Sequence, residues 1–209
     1  MANTNMVQNL RLFTPFRKLR RKIREHLKLT QKDSIARRYF VLNCFDGAIT
    51  VFSIVLAAIV TGVNNSKFVV ATALGASVAM AVSGFSGAYM AEKAEHERHL
   101  NQYEREKNGE QLAQHKAAGF TVVYLALIDG LAPPLASLPA IILLLLSMAG
   151  LLPQLLTYYL ALVSSFIILF LLGLYLGKVS KGNHWNYALL MLAVGGVAAL
   201  VIFVIDLLL

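Results

Sequence analysis

Taken as a pattern of apolar and polar positions, the chain opens polar and basic, then alternates five long apolar runs with short polar connections. The runs cover 39–62, 68–91, 118–148, 154–177 and 187–208. Each reaches the roughly 20 residues needed to cross about 30 Å of hydrocarbon at 1.5 Å per residue. None alternates with period two, and an open strand would leave backbone groups unsatisfied in lipid, so each run predicts a helix. The expected fold is therefore an all-α membrane protein of five transmembrane helices. Its parts are a basic cytoplasmic segment (1–38), spans 1 and 2 (39–91), an acidic cytoplasmic loop (92–117) and spans 3 to 5 (118–209).

Composition agrees: with 57% hydrophobic and 14% charged residues, the chain could not give a soluble domain a polar surface. Charge adds direction. Eleven of the nineteen Lys and Arg residues lie in 1–38, five in 92–117, and Lys178 and Lys181 precede the fifth run, whereas Lys67 stands alone in a connection of opposite parity. The positive-inside rule then predicts a cytoplasmic N-terminus and an outside C-terminus. No cleavable signal is visible ahead of the first run, which is expected to direct insertion itself. The protein is expected to be a multi-pass integral protein of a prokaryotic plasma membrane.

Within the basic opening, Phe16, Leu19, Ile23 and Leu27 recur at helical spacing while Arg17, Lys18, Arg20, Arg21, Lys22 and Arg24 fill the other faces. Such a helix is suited to an anionic membrane surface, so membrane lipids are its expected partner and nucleic acid is not. The lone Cys44 excludes an internal disulfide and reads as a packed small hydrophobe. No nucleophile constellation, cofactor loop or zinc-finger spacing is present, so the expectation is a non-enzyme without a resident cofactor.

Two Asp-Gly pairs interrupt the apolar runs, in "LNCFDGAIT" (Asp46, Gly47) and "LALIDGLAPP" (Asp129, Gly130). An ionised Asp at the centre of a span costs about 2.5–3.5 kcal/mol even on the permissive insertion scale. The spans contain no Lys, Arg or His as counter-charge, so a passing cation or proton is the natural partner for Asp46 and Asp129. Pro133 and Pro134, with Pro139, lack the N–H groups that would serve the carbonyls of Asp129, Gly130 and Leu135. Helix breaks are therefore expected at Gly47, Gly130, Pro133 and Pro134, with freed carbonyls beside a carboxylate. Met80 could add a thioether for a borderline metal. The pairs lie 83 positions apart, and Gly87-Ala88-Tyr89-Met90 matches Gly173-Leu174-Tyr175-Leu176 at an offset of 86, which suggests that spans 1–2 and 3–4 form a parallel repeat of the kind transporters use.

The acidic loop holds six of the eleven acidic residues. Glu92, Glu95, His96 and His99 fall at i, i+3, i+4 and i+7, one stripe of a helix leaving the second span and a candidate cytoplasmic surface for Fe2+, Mn2+ or Zn2+. Interspersed Lys93, Arg98, Arg105 and Lys107 equally describe an ordinary salt-laced helix.

The run "FDGAITVFSIVLA" after a basic opening, the Gly-x-Tyr-Met-x-x-Lys exit of the second span and the Glu-rich loop behind it resemble the vacuolar iron transporter family over roughly 37–208. The resemblance implies a homodimeric exchanger that moves Fe2+ or Mn2+ out of the cytosol against protons, with Asp46 matching the family's pore carboxylate. Two departures stand out. Aligned through Tyr89, Gly84 falls where the family carries a Met and Ala88 where it carries a Glu, and Asp129 is an additional carboxylate; the short loop also fits a divergent prokaryotic branch. The alternative from a different class is a non-transporting membrane scaffold or lipid- or partner-binding protein whose buried aspartates only shape helix breaks.

Overall fold

The computed structural model describes residues 33–106, 109–117 and 119–208. The basic stretch containing Phe16 to Leu27 lies outside the described residues. Among those described the chain is all helix, without strands: α1 (Asp33–Val60), α2 (Ser66–Arg105), α3 (Gly109–Ala117), α4 (Phe120–Met148), α5 (Gln154–Val179) and α6 (His184–Leu208). Five of these, all but α3, are long and apolar enough to cross a membrane. At 40 residues α2 is about 60 Å long, twice the hydrocarbon thickness, so its second half must project beyond the bilayer. There α3 folds back along it, tied by an ion pair of 3.6 Å between Lys116 and Glu104.

Connections follow from local chemistry. Asn65 caps α2, its side-chain oxygen accepting from the Phe68 N–H at 3.1 Å. Gly62 and Gly150 take positive φ (67° and 74°) just past α1 and α4, a conformation that favours glycine. Behind them the Val63 N–H reaches the Ala58 carbonyl at 2.9 Å and the Leu151 N–H reaches that of Leu146 at 3.0 Å, so both hairpins close in the same way.

At the centre stands α4, packed on α1, α2 and α5, while α6 lies outside against α5 and, less extensively, α1. The core is small-residue packing: Ala48, Ala73, Ala126, Ala132 and Ala161 are all fully buried, letting backbones approach as spans in lipid require. Ser77 and Ser137 share a hydrogen bond of 3.0 Å across the α2–α4 seam. Cys44 is 4% exposed, with its thiol 3.5 Å from the Ala132 carbonyl in that packing.

The expected helix breaks are a point of correction. α1 runs unbroken through Gly47, and α4 runs unbroken through Gly130, Pro133, Pro134 and Pro139. The glycines serve close approach instead. A Cβ on Gly47 would lie 2.6 Å from the Pro133 Cα, and one on Gly130 would lie 2.8 Å from both the Ala81 carbonyl and the Phe85 Cβ. Neighbouring helices thus press on the proline segment from two sides, and this enclosure in protein is what lets a transmembrane helix keep its course through prolines.

Candidate functional site

Where the glycine seams bring α1, α2 and α4 together, a polar face forms. On α1, Tyr39, Asn43, Asp46 and Thr50 are spaced by four, three and four residues and so share one side of the helix. On α2, Met80, Gly84, Ala88 and Glu92 recur every fourth residue. From α4 comes Asp129.

The side chains link across the helices. Asn43 donates from its amide to Asp129 Oδ1 and to the Tyr39 carbonyl at 3.0 Å. The Tyr39 hydroxyl donates to Glu92 Oε1 at 3.1 Å, and Glu92 is itself only 6% exposed. Thr50 donates to the Met80 sulfur at 3.6 Å. Asp129 occupies space that a side chain at 84 would need, since a Cβ on Gly84 would lie 3.2 Å from its Oδ2 and from its carbonyl oxygen. Asp46, on that same side of α1, is exposed on the surface of the single chain while Asp129 is half-buried.

The Asp-Gly pairs now have a physical account. In each, the glycine is the buried residue at a helix crossing, and the aspartate, about 100° round the helix, stands at the edge of that crossing. The donor set is mixed: carboxylate oxygens from Asp46 and Asp129, an amide oxygen from Asn43, a hydroxyl from Thr50 and a thioether from Met80. Oxygens with one soft sulfur suit a first-row divalent transition metal. Sequence reasoning missed Asn43, although its place three residues before Asp46 and four before Gly47 was a usable sign.

The stripe expected on the cytoplasmic side divides. Glu92 turns inward to Tyr39, whereas Glu95 pairs with His99 at 3.1 Å and with Arg98 at 3.4 Å. The fold-back of α3 adds a residue the stripe lacked: the His115 ring stands 5.3 Å from that of His99 and 5.9 Å from that of His96. Among the described residues no three His, Cys, Asp or Glu side chains converge as a ready-made metal cluster. The expected quartet of Glu92, Glu95, His96 and His99 is therefore not one site: Glu92 belongs to the span network and the rest to an imidazole-rich patch.

Five apolar helices with carboxylates on a face shared by three of them define an integral membrane protein built around an intramembrane polar site. Comparison with known proteins narrows this. The VIT family model matches residues 37–129, from the start of α1 to Asp129. An uncharacterized protein of Methanocaldococcus jannaschii is similar at 31% identity over 176 residues, covering 81% of this chain and 87% of that protein. The chain belongs to the VIT family, and that membership points to metal-ion transport. No solved structure matches it.

Proposed function

We propose that the protein exports Fe2+ or Mn2+ from the cytosol in exchange for protons. The observation that carries this reading is the pair Asp46 and Asp129, placed by α1 and α4 inside apolar runs that contain no basic side chain. A divalent ion held between them replaces the missing counter-charge, and on its release protons can take its place. Asn43 holds Asp129 in position, Met80 and Thr50 complete the donor face, and Glu95, His96, His99 and His115 attract the ion at the cytoplasmic mouth. By the positive-inside rule Glu92 and the α2 projection lie on the cytoplasmic side, and the membrane in this reading is a prokaryotic plasma membrane.

A homodimer fits the exposure of Asp46. Left facing lipid, that carboxylate would be costly; against a second copy it would bring the carboxylates around the path from two to four. Each copy would then supply half of the ligand set.

Reconstituted in liposomes with a metal-sensitive dye and a pH reporter, the protein is expected to carry Fe2+ or Mn2+ into an acidic lumen while protons leave. Asp46→Asn and Asp129→Asn each remove a charge at nearly constant shape and are expected to abolish this flux. Full flux in both variants, or metal movement with no proton movement, would overturn the proposal.

A further inference from the structure

On the side of α1 opposite the carboxylates lies a second feature that metal transport does not use. Residues 34, 37, 38, 41 and 42 fall at i, i+3, i+4, i+7 and i+8, and they face the end of α5 and the first half of α6 across a cavity of about 220 Å3. Its walls are apolar, with Val41, Leu42, Leu176 and Met191 prominent, while Arg37 and Arg38 stand at the beginning of α1. Leu42 lines the cavity and is also 54% exposed, so the cavity opens on the outer surface of the bundle. Exposed Lys178 and Lys181 lie at the end of α5 and in the turn after it, making this the basic end of the bundle.

From this geometry we infer that the groove between α1, α5 and α6 is a binding site for an anionic phospholipid, one acyl chain lying along the apolar wall and the phosphate held by Arg37 and Arg38. Beyond the arginines the apolar wall offers water few hydrogen-bonding partners, so a lipid chain is its natural filling. The volume is below the roughly 300–1,000 Å3 that enclose whole small ligands, and it suits part of one chain rather than a metabolite. Charge selects among lipids. Basic side chains beside a groove between spans recognise a negatively charged headgroup, and a bidentate guanidinium matches phosphate geometry. The site is separate from the carboxylates, so it stands whether or not metal transport is correct.

The full-length protein in mixed micelles is titrated with phosphatidylglycerol or phosphatidylcholine and bound lipid is counted by native mass spectrometry. Phosphatidylglycerol is expected to bind the more tightly, and Arg37→Gln with Arg38→Gln to weaken it roughly thirty-fold, about five-fold per charge. Arg37→Lys with Arg38→Lys keeps the charge and is expected to retain most of the preference. Leu176→Trp fills the groove with the arginines untouched and should displace the lipid. A phosphatidylglycerol carrying a photoreactive acyl chain is expected to label peptides containing Val41, Leu176 and Met191. Equal affinity for the two lipids, or binding indifferent to the glutamine variants, would overturn the inference. So would cross-linking of residues 1–32 into the groove in lipid-free protein, because that segment would then be the occupant.

Discussion

Gly47 is the position where the structure allows least. A Cβ built there would fall 2.6 Å from the Pro133 Cα and 2.7 Å from its carbonyl carbon, distances that real Cβ atoms essentially never show. Both atoms are backbone in the middle of α4, so no side chain can swing aside and α1 must move as a body. Forcing one extra carbon into a packed seam costs about 1–3 kcal/mol. Set against this is the intrinsic helix preference for Ala over Gly, about 1 kcal/mol in the opposite direction. Gly87, on the same bundle, separates the two: nothing lies within 4 Å of a Cβ there, so Gly87→Ala carries only the favourable part. The expected order of apparent melting temperature, followed by fluorescence-detected size exclusion of detergent-solubilised protein, is Gly87→Ala at or above wild type and Gly47→Ala clearly below it. Because the seam also sets where Asp46 and Asp129 stand, the Gly47 variant is expected to lose metal flux even at temperatures where it remains folded. Equal melting of the two variants would mean that α1 and α4 do not cross at this level, and the placement of both carboxylates would fall with it.

The remaining expectations are briefer. Gly84→Met fills the space over Asp129, where even a Cβ meets Oδ2 at 3.2 Å, and should abolish transport alone yet recover part of it combined with Asp129→Ala; equal activity in the single and double variants would refute the link. In that double variant a thioether replaces a carboxylate, so metal competition in liposomes should shift from Mn2+ towards Fe2+. Asp46→Cys, at an exposed position in a span, is expected to give an oxidant-induced covalent dimer on a denaturing gel while the buried native Cys44 gives none; a monomer at every oxidant concentration speaks against a second copy over that face.

Hydropathy made the helices legible because span length is set by bilayer thickness, and α5 begins at the very residue where its apolar run does. It says nothing about which side of a span faces its neighbours, and that is where the reading of the sequence went astray. Counting missing N–H groups at Pro133 and Pro134 is sound for an isolated helix, but α1 and α2 close on that stretch and the helix continues. Glu92 looked like a surface ligand because it belongs to a charged stripe, yet α1 runs beside α2 there and offers Tyr39. His115 lies sixteen positions beyond His99, and only the packing of α3 against α2 brings the rings together. In each case the missing information was contact between helices, which a single chain's periodicity does not encode.

That contact also explains why the chain can depart from its family's pattern at Gly84 and still keep a coherent site. A large side chain at 84 and a carboxylate at 129 compete for one volume, since Gly84 and Asp129 face each other across the α2–α4 seam. Removing the side chain on α2 makes room for the acid on α4, and Asn43 on α1 then supplies the donor that holds it. The three positions form a unit: a side chain at 84 crowds the Asp129 carboxylate, and without Asn43 that carboxylate loses the amide that orients it in an apolar surrounding. Under the proposed function, the identity of residue 84 would set the chemical hardness of the site, through the partner it admits rather than through any atom of its own.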